Sequence, residues 1–290
     1  MDYVLENEDL KVIISSHGAE LQSVYDKKAQ KEYLWQGDAT IWGRRAPVLF
    51  PIVGRLKEGK YKYQDTEYMM PGHGFARDLE FHELLHDTTE ICFELHDSEQ
   101  TKEMYPFAFV LRIFYQLKGR EIAVRYEVFN PDSEETLWFS IGGHPAFQVP
   151  MKEEGEFIDT HFFLGTDEPV TQRFIQGVLL TKEKEEQPKL ECAIHRKDFE
   201  QDAWIYETKN PVTAILKSPY STIRLSYQNA PYLGVWSPAD KKAPFVCLEP
   251  WWGITDTEEA SQLWPDKLGL HSLLPRQKWD TSYQLIFGEK

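Results

Sequence analysis

Along most of this chain hydrophobic and polar positions alternate with a period of two. Ile122, Val124, Tyr126 and Val128 are interleaved with Ala123, Arg125 and Glu127, the pattern of a strand with one face towards a core. The preceding run Phe109–Leu117 is rich in aromatic and branched residues, and Lys118-Gly119-Arg120 supplies a turn between the two, so together they predict a hairpin. Similar short runs recur at Leu10–Ile14, Lys60–Tyr63, Glu90–Leu95, Leu137–Ile141, Thr213–Leu216, Thr222–Tyr227, Tyr232–Trp236, Phe245–Leu248 and Ser282–Phe287, separated by clusters of Gly, Pro, Asn and Asp. Helical signals are short: Ser98–Tyr105, stopped by Pro106, and Thr257–Leu263, ahead of Pro265. The charged segment Thr181–Glu191 reads as a solvated loop. Strands at this density with so few helices predict an all-β fold of stacked antiparallel sheets, a β-sandwich larger than an immunoglobulin domain. With no internal repeat, low-complexity tract or linker, residues 1–290 are expected to form one domain.

Composition narrows the function classes. Hydrophobic residues at 41% and aromatics at 14% are ample for a core. A formal net charge of −15 argues against a broad nucleic-acid or anionic-membrane surface, although not against one small anion held by a few arginines. The widely scattered Cys92, Cys192 and Cys247 fit neither a disulfide framework nor a zinc spacing, and are expected to be small core residues in a reducing compartment. The acidic start Met1-Asp2-Tyr3-Val4-Leu5-Glu6 is unlike a signal peptide, and no apolar run approaches the roughly 18 residues of a membrane span. A soluble, cytoplasmic protein is the expectation. Walker A, dinucleotide-fingerprint, HExxH and Gly-x-Ser-x-Gly patterns are absent, which removes the main support for NTP-driven, redox-cofactor and serine-hydrolase chemistry.

What remains is a set of histidines, carboxylates, arginines and tryptophans. His73 lies in Gly72-His73-Gly74-Phe75-Ala76-Arg77, a tight turn offering an imidazole and a guanidinium; it reads either as a turn histidine bonded to backbone or as a ligand contact. His144 follows Gly142 and Gly143 and precedes Pro145, which presents its ring at a strand end, and histidine titrates nearest neutral pH. Glu249 follows Phe245–Leu248 and precedes Pro250, Trp251 and Trp252. It is either a surface ion-pair partner or a buried carboxyl whose pKa desolvation raises towards the range of a general base. Asp202 is a weaker case of the same kind. The forked donors of Arg55 suit sugar hydroxyls or a phosphate, and Arg44 and Arg45 lie just upstream. The chain has nine tryptophans, and aromatic faces stack on pyranose C–H faces, which makes Trp236 a candidate wall of a sugar site.

At these residues the chain resembles the aldose 1-epimerase (galactose mutarotase) family, in its LacX-like branch. The matching pieces are Phe50-Pro51-Ile52-Val53-Gly54-Arg55-Leu56, Gly72–Arg77, Gly143-His144-Pro145-Ala146-Phe147, Gln201-Asp202-Ala203 and Leu248-Glu249-Pro250-Trp251, in the family's order. The resemblance implies a large antiparallel β-sandwich with a sugar in an open cleft across one sheet. It also implies a reaction needing no cofactor and no metal: Glu249 as general base on the anomeric hydroxyl, His144 as general acid on the ring oxygen, and His73, Asp202 and Arg55 around them. Gly-Phe-Ala-Arg after His73 and Pro-Ala-Phe after His144 also resemble the sister glucose-6-phosphate 1-epimerases, where basic residues hold the phosphate; Arg45 and Arg77 would serve here. The resemblance thus leaves three readings: a mutarotase acting on a free aldose, a hexose-6-phosphate 1-epimerase, and a non-catalytic sugar-binding protein. By analogy with paired glycosidase groups, the acid and base are expected roughly 5–7 Å apart.

Overall fold

The computed structural model describes residues 1–288 other than 153–154, 167, 188–189 and 210. Two large antiparallel sheets dominate it. One has nine strands in the order Leu190–Ala193, His161–Gly165, Val212–Lys217, Thr222–Tyr227, Lys278–Phe287, Glu121–Phe129, Val110–Lys118, Glu90–His96 and His82–His86. The other has a path through Leu179–Gln187, Val170–Gln176, Trp204–Glu207, Tyr232–Trp236, Phe245–Trp252, Ile141–Gly143 and Val48–Leu49, with Ala146–Gln148 also paired to Phe245–Trp252. A four-stranded sheet of the N-terminal strands between Asp2 and Glu32 stands beside them.

The two large sheets share one core. Alternate residues of the central strands, such as Val124, Tyr126 and Leu285 of the first sheet and Leu233, Val235, Val246, Leu248 and Trp252 of the second, belong to a single buried cluster. The strand Phe245–Trp252 is buried along its whole length. Its even-numbered residues Val246, Leu248 and Trp252 face the inter-sheet core, whereas Phe245, Cys247 and Trp251 join two small clusters on the opposite face. That double burial explains its unbroken apolar sequence, and it means that Glu249, in phase with Cys247 and Trp251, stands on the face away from the main core.

Most of the expected strands are present, and the hairpin pairs Val110 with Phe129 through Lys118 with Glu121 around the Gly119-Arg120 turn. Leu137–Ile141 is not one strand: it breaks at Ser140, whose N–H donates to Pro51 O at 2.8 Å, and its halves enter different sheets. Ser98 caps a single turn, Glu99–Lys102, through a reciprocal bond pair with Thr101. Thr257–Leu263 is not helical, because its backbone is committed elsewhere: Thr257 bridges Leu180 and the Glu258 N–H donates to Leu180 O. The charged segment expected to be a loop is strand through Gln187; most of its side chains are exposed, so no buried face prints a period on the sequence. Positions 188 and 189 of that segment lie outside the described residues.

Among the described residues no helix is long and apolar enough to cross a membrane. Phe93, fully buried on the strand Glu90–His96, tests the core directly. Phe93→Ala is expected to cost about 3–5 kcal/mol, read as a lowered urea midpoint; a change below about 1 kcal/mol would contradict the packing described.

Candidate active site

The outer face of the second sheet carries a cleft of about 340 Å³ whose lining includes Trp42, Arg55, His73, His144, Asp202, Trp236, Glu249 and Trp251. At its base His144 Nε2 lies 3.1 Å from Glu249 Oε2. Glu249 is 1% exposed and His144 7%, so the pair is almost entirely removed from water. The same Glu249 oxygen accepts a hydrogen bond from the Trp251 indole N–H at 3.2 Å.

Sheet geometry holds this arrangement. Gly234 is paired across the ladder with Glu249, and Gly142 with Trp251. A Cβ at Gly234 would lie 2.6 Å from Trp251 Cζ2, and one at Gly142 2.9 Å from Trp251 Cδ1. The indole therefore occupies a slot left by glycines on both neighbouring strands, and from there reaches Glu249. His144 is held between tryptophans: Trp42 stacks on its ring at 5.0 Å between centroids, and Trp236 meets it edge-on at 5.8 Å.

His73 approaches from a left-handed turn, φ 63°. Its N–H donates to Gly54 O at 2.7 Å and its Nδ1 accepts from the Gly54 N–H at 3.2 Å. The turn-histidine reading of this residue therefore holds, and its ring also lines the cleft. The backbone bond fixes the neutral tautomer with its proton on Nε2, which is the nitrogen left for other partners. The next residue, Gly74, allows no side chain, since a Cβ would sit 2.1 Å from Phe50 O. Asp202 is a second non-glycine residue in the left-handed region, φ 78°. Such backbone is uncommon and concentrates at functional sites.

The arginines divide. Arg55 and Arg77 line the cleft and so does Arg44, but Arg45 does not. Arg45 instead hydrogen-bonds Gln22 Oε1 at 2.5 Å. The Arg44 guanidinium is paired with Asp78 at 2.8 Å, and Arg77 donates to Gly72 O at 2.6 Å while lying 3.8 Å from Asp78. Arg55 contributes to the field at Asp202. The expected 5–7 Å acid–base spacing is also corrected, to direct contact. Sequence reasoning did not single out Trp42 as a site residue: it lies outside any strand pattern, and only its place between Glu249's partner and solvent gives it meaning.

Burial governs the ionisation of the whole cleft. It pushes Glu249 well above the usual carboxylate range, with the nearby Asp202 charge adding to the effect and the Trp251 N–H opposing it. Burial likewise pushes His144 down to about 3, helped by Arg77. His73 is driven well below the usual imidazole value by burial, then by His144 and Arg77. Asp202 is raised by burial against the pull of the Ala203 N–H and Arg55. Cys247 Sγ, a ring nitrogen of His144 and a Glu249 oxygen lie within 4.8 Å of one another, and burial, with Glu249 adding to it, holds the thiol well above its usual pKa.

Residues 1–281 match the aldose 1-epimerase family. The chain is 31% identical to the chromosomal protein LacX of Lactococcus lactis subsp. lactis, over 98% of this chain and 99% of that one. Among solved structures it is similar to a galactose mutarotase related enzyme from Lactobacillus acidophilus, with a TM-score of 0.97, 35% identity and coverage of 100% and 98% of the two chains. A galactose mutarotase-like protein from Lactobacillus casei ATCC 334 superposes with a TM-score of 0.91 at 32% identity, covering 99% and 100%.

The lowered pKa of His144 has a consequence for stability. An unfolded histidine takes up its proton near pH 6.5, whereas the folded ring resists until about 3. The contribution of the neutral ring is therefore fully present above pH 6.5 and lost as the pH falls towards 3. The urea midpoint of the wild type is expected to drop more between pH 7 and 4.5 than that of His144→Gln. Equal drops would mean that the ring is not held neutral.

Proposed function

The chain belongs to the aldose 1-epimerase family, and from that premise we propose that it interconverts the α and β anomers of a free aldose by general acid–base ring opening. The observation that carries this reading is the contact between His144 and Glu249 at the base of a sugar-sized cleft. In a cyclic aldose the anomeric hydroxyl and the ring oxygen are bonded to the same carbon. A base for one and an acid for the other must therefore stand side by side, as these two groups do.

Glu249 takes the proton of the anomeric hydroxyl while His144 delivers one to the ring oxygen. The C1–O5 bond breaks, the aldehyde forms, rotation about C1–C2 presents its other face, and the reverse transfers close the ring. Burial favours neutral imidazole beside protonated carboxyl. The ion-paired form holds the same number of protons and is the one competent to start this cycle. It is reached by moving one proton over the 3.1 Å contact, and the sugar's two oxygens then replace that hydrogen bond. Trp42 and Trp236 offer ring faces to the pyranose, and the Nε2–H of His73 with Arg55 and Asp202 bonds its hydroxyls. Arg77 contributes mainly positive charge, because its guanidinium is already bonded to Gly72 O.

A free sugar is favoured over a hexose 6-phosphate because the arginines are mostly engaged. Arg45 lies outside the cleft, and Arg44 and Arg77 share Asp78. A sugar receptor without catalysis would have no need of a desolvated acid–base pair.

Anomer exchange at equilibrium, followed by NMR saturation transfer across glucose, galactose and their 6-phosphates, tests this reading. Exchange of a free aldose is expected, with Glu249→Gln lowering kcat by at least about 10²-fold. Exchange confined to 6-phosphates would reassign the substrate, and binding without exchange would make the protein a receptor. The reaction needs one proton shared by the pair, so the rate should follow a bell-shaped pH profile with apparent pKa values that belong to the pair. Its acid limb should lie near pH 3, where the folded pair takes up a second proton, and a rate that does not fall as the pH approaches that value would rule out this mechanism.

A further inference from the structure

The cleft does not end at the sugar-sized chamber. Beyond Ile175 and Asp202, which line both, it continues into a larger trough of about 930 Å³. The trough is formed by the hairpin of Val170–Gln176 and Leu179–Gln187, the segment around Gln201 and the segment around Thr257. Its walls are tied together. Thr255 Oγ1 donates to Val178 O at 2.8 Å, the Leu180 N–H to Asp256 O at 2.8 Å, and the Glu258 N–H to Leu180 O at 3.2 Å. The opening is therefore a fixed feature of the sheet end rather than a gap between loose loops.

We infer that this trough is a second sugar subsite, and that the substrate is a reducing hexose carrying a neutral glycosyl group on an oxygen other than the anomeric one. The inference rests on the acid–base reading above. Epimerisation requires a free anomeric hydroxyl at His144 and Glu249, the closed and buried end of the cleft. Any substituent must then leave by the open end, and the trough is the large space that begins there. The first chamber lies near the bottom of the usual range of roughly 300–1,000 Å³ for ligand pockets and suits one ring, whereas the trough has room for another or more.

The lining selects the class. The half-buried Phe174 and Ile175 give an apolar floor of the kind that a sugar's C–H face covers. Gln176 and Gln201 supply both donors and acceptors. The charged rim is mostly carboxylate, including Glu183, Glu200 and Glu258, while its cations are paired: Arg173 with Glu207, and Lys182 with Glu259 at 2.6 Å. Hydroxyl donors suit such a rim and a phosphorylated, sulfated or uronic second residue does not.

The test compares anomer exchange on sugars that share a reducing end: glucose against maltose, cellobiose and lactose, and galactose against a galactosyl-galactose. At least one disaccharide is expected to show kcat/KM tenfold or more above its parent monosaccharide. Gln176→Trp, an exposed position that lines the trough alone, should bring that ratio close to one. Monosaccharides exchanged as well as or better than every disaccharide, or a preference that survives Gln176→Trp, would overturn the second subsite and leave the acid–base reading standing. No exchange with any sugar would overturn the acid–base reading, and the subsite with it.

Discussion

A carboxyl group held almost wholly out of water in the middle of a β-sheet is costly to keep, and much of the surrounding structure answers to it. A buried carboxyl needs partners, or the protein gives up stability of several kcal/mol to keep it. Glu249 has two, the imidazole of His144 and the indole N–H of Trp251. Each depends on a further constraint. The indole needs the slot between Gly142 and Gly234, and the imidazole needs the stacked ring of Trp42 and the edge of Trp236. The glycines, Trp236 and Trp251 are in turn placed by strand pairing, so the position of one proton between two side chains depends on the register of a sheet.

The two large sheets divide the labour. The nine-stranded sheet and the inner face of its partner make a continuous hydrophobic core, while the outer face of the partner carries the polar chemistry. Loops bring the turn at His73 and the left-handed residue at Asp202, and the outermost two strands at one edge of the second sheet form the hairpin that flanks the trough. The sheet supplies rigidity for the buried pair, and the loops supply contacts whose geometry tolerates more variation.

The fold class was legible because period-two alternation marks any strand with one buried face, as in Ile122–Val128. It failed where that condition fails. The strand Leu179–Gln187 buries little on either side and carries no period, and Thr257–Leu263 has a composition that a helix would accept but hydrogen bonds that go to Leu180. His144, Glu249, His73, Asp202, Arg55, Arg77 and Trp236 were all named from the sequence and meet in one cleft. The sequence pointed to Arg45 where the structure puts Arg44 in the cleft, because nothing in two adjacent residues of like chemistry says which one turns inward. Trp42 was invisible for a related reason: its partner in stacking, His144, is a hundred residues away in sequence, and no local pattern announces a contact across that distance.

The glycine slot has an evolutionary side. The groups that fix Trp251 from its two flanks have no side chains to exchange, and a β-carbon at either place would collide with the indole. Mutation can therefore break the support of Glu249 but has few ways to adjust it by degrees. The trough and the arginine side of the cleft are built from side chains that can be swapped one at a time. A lineage descending from this architecture would be expected to keep its proton chemistry frozen while its choice of sugar drifts, with divergence accumulating at the rim and stasis in the sheet.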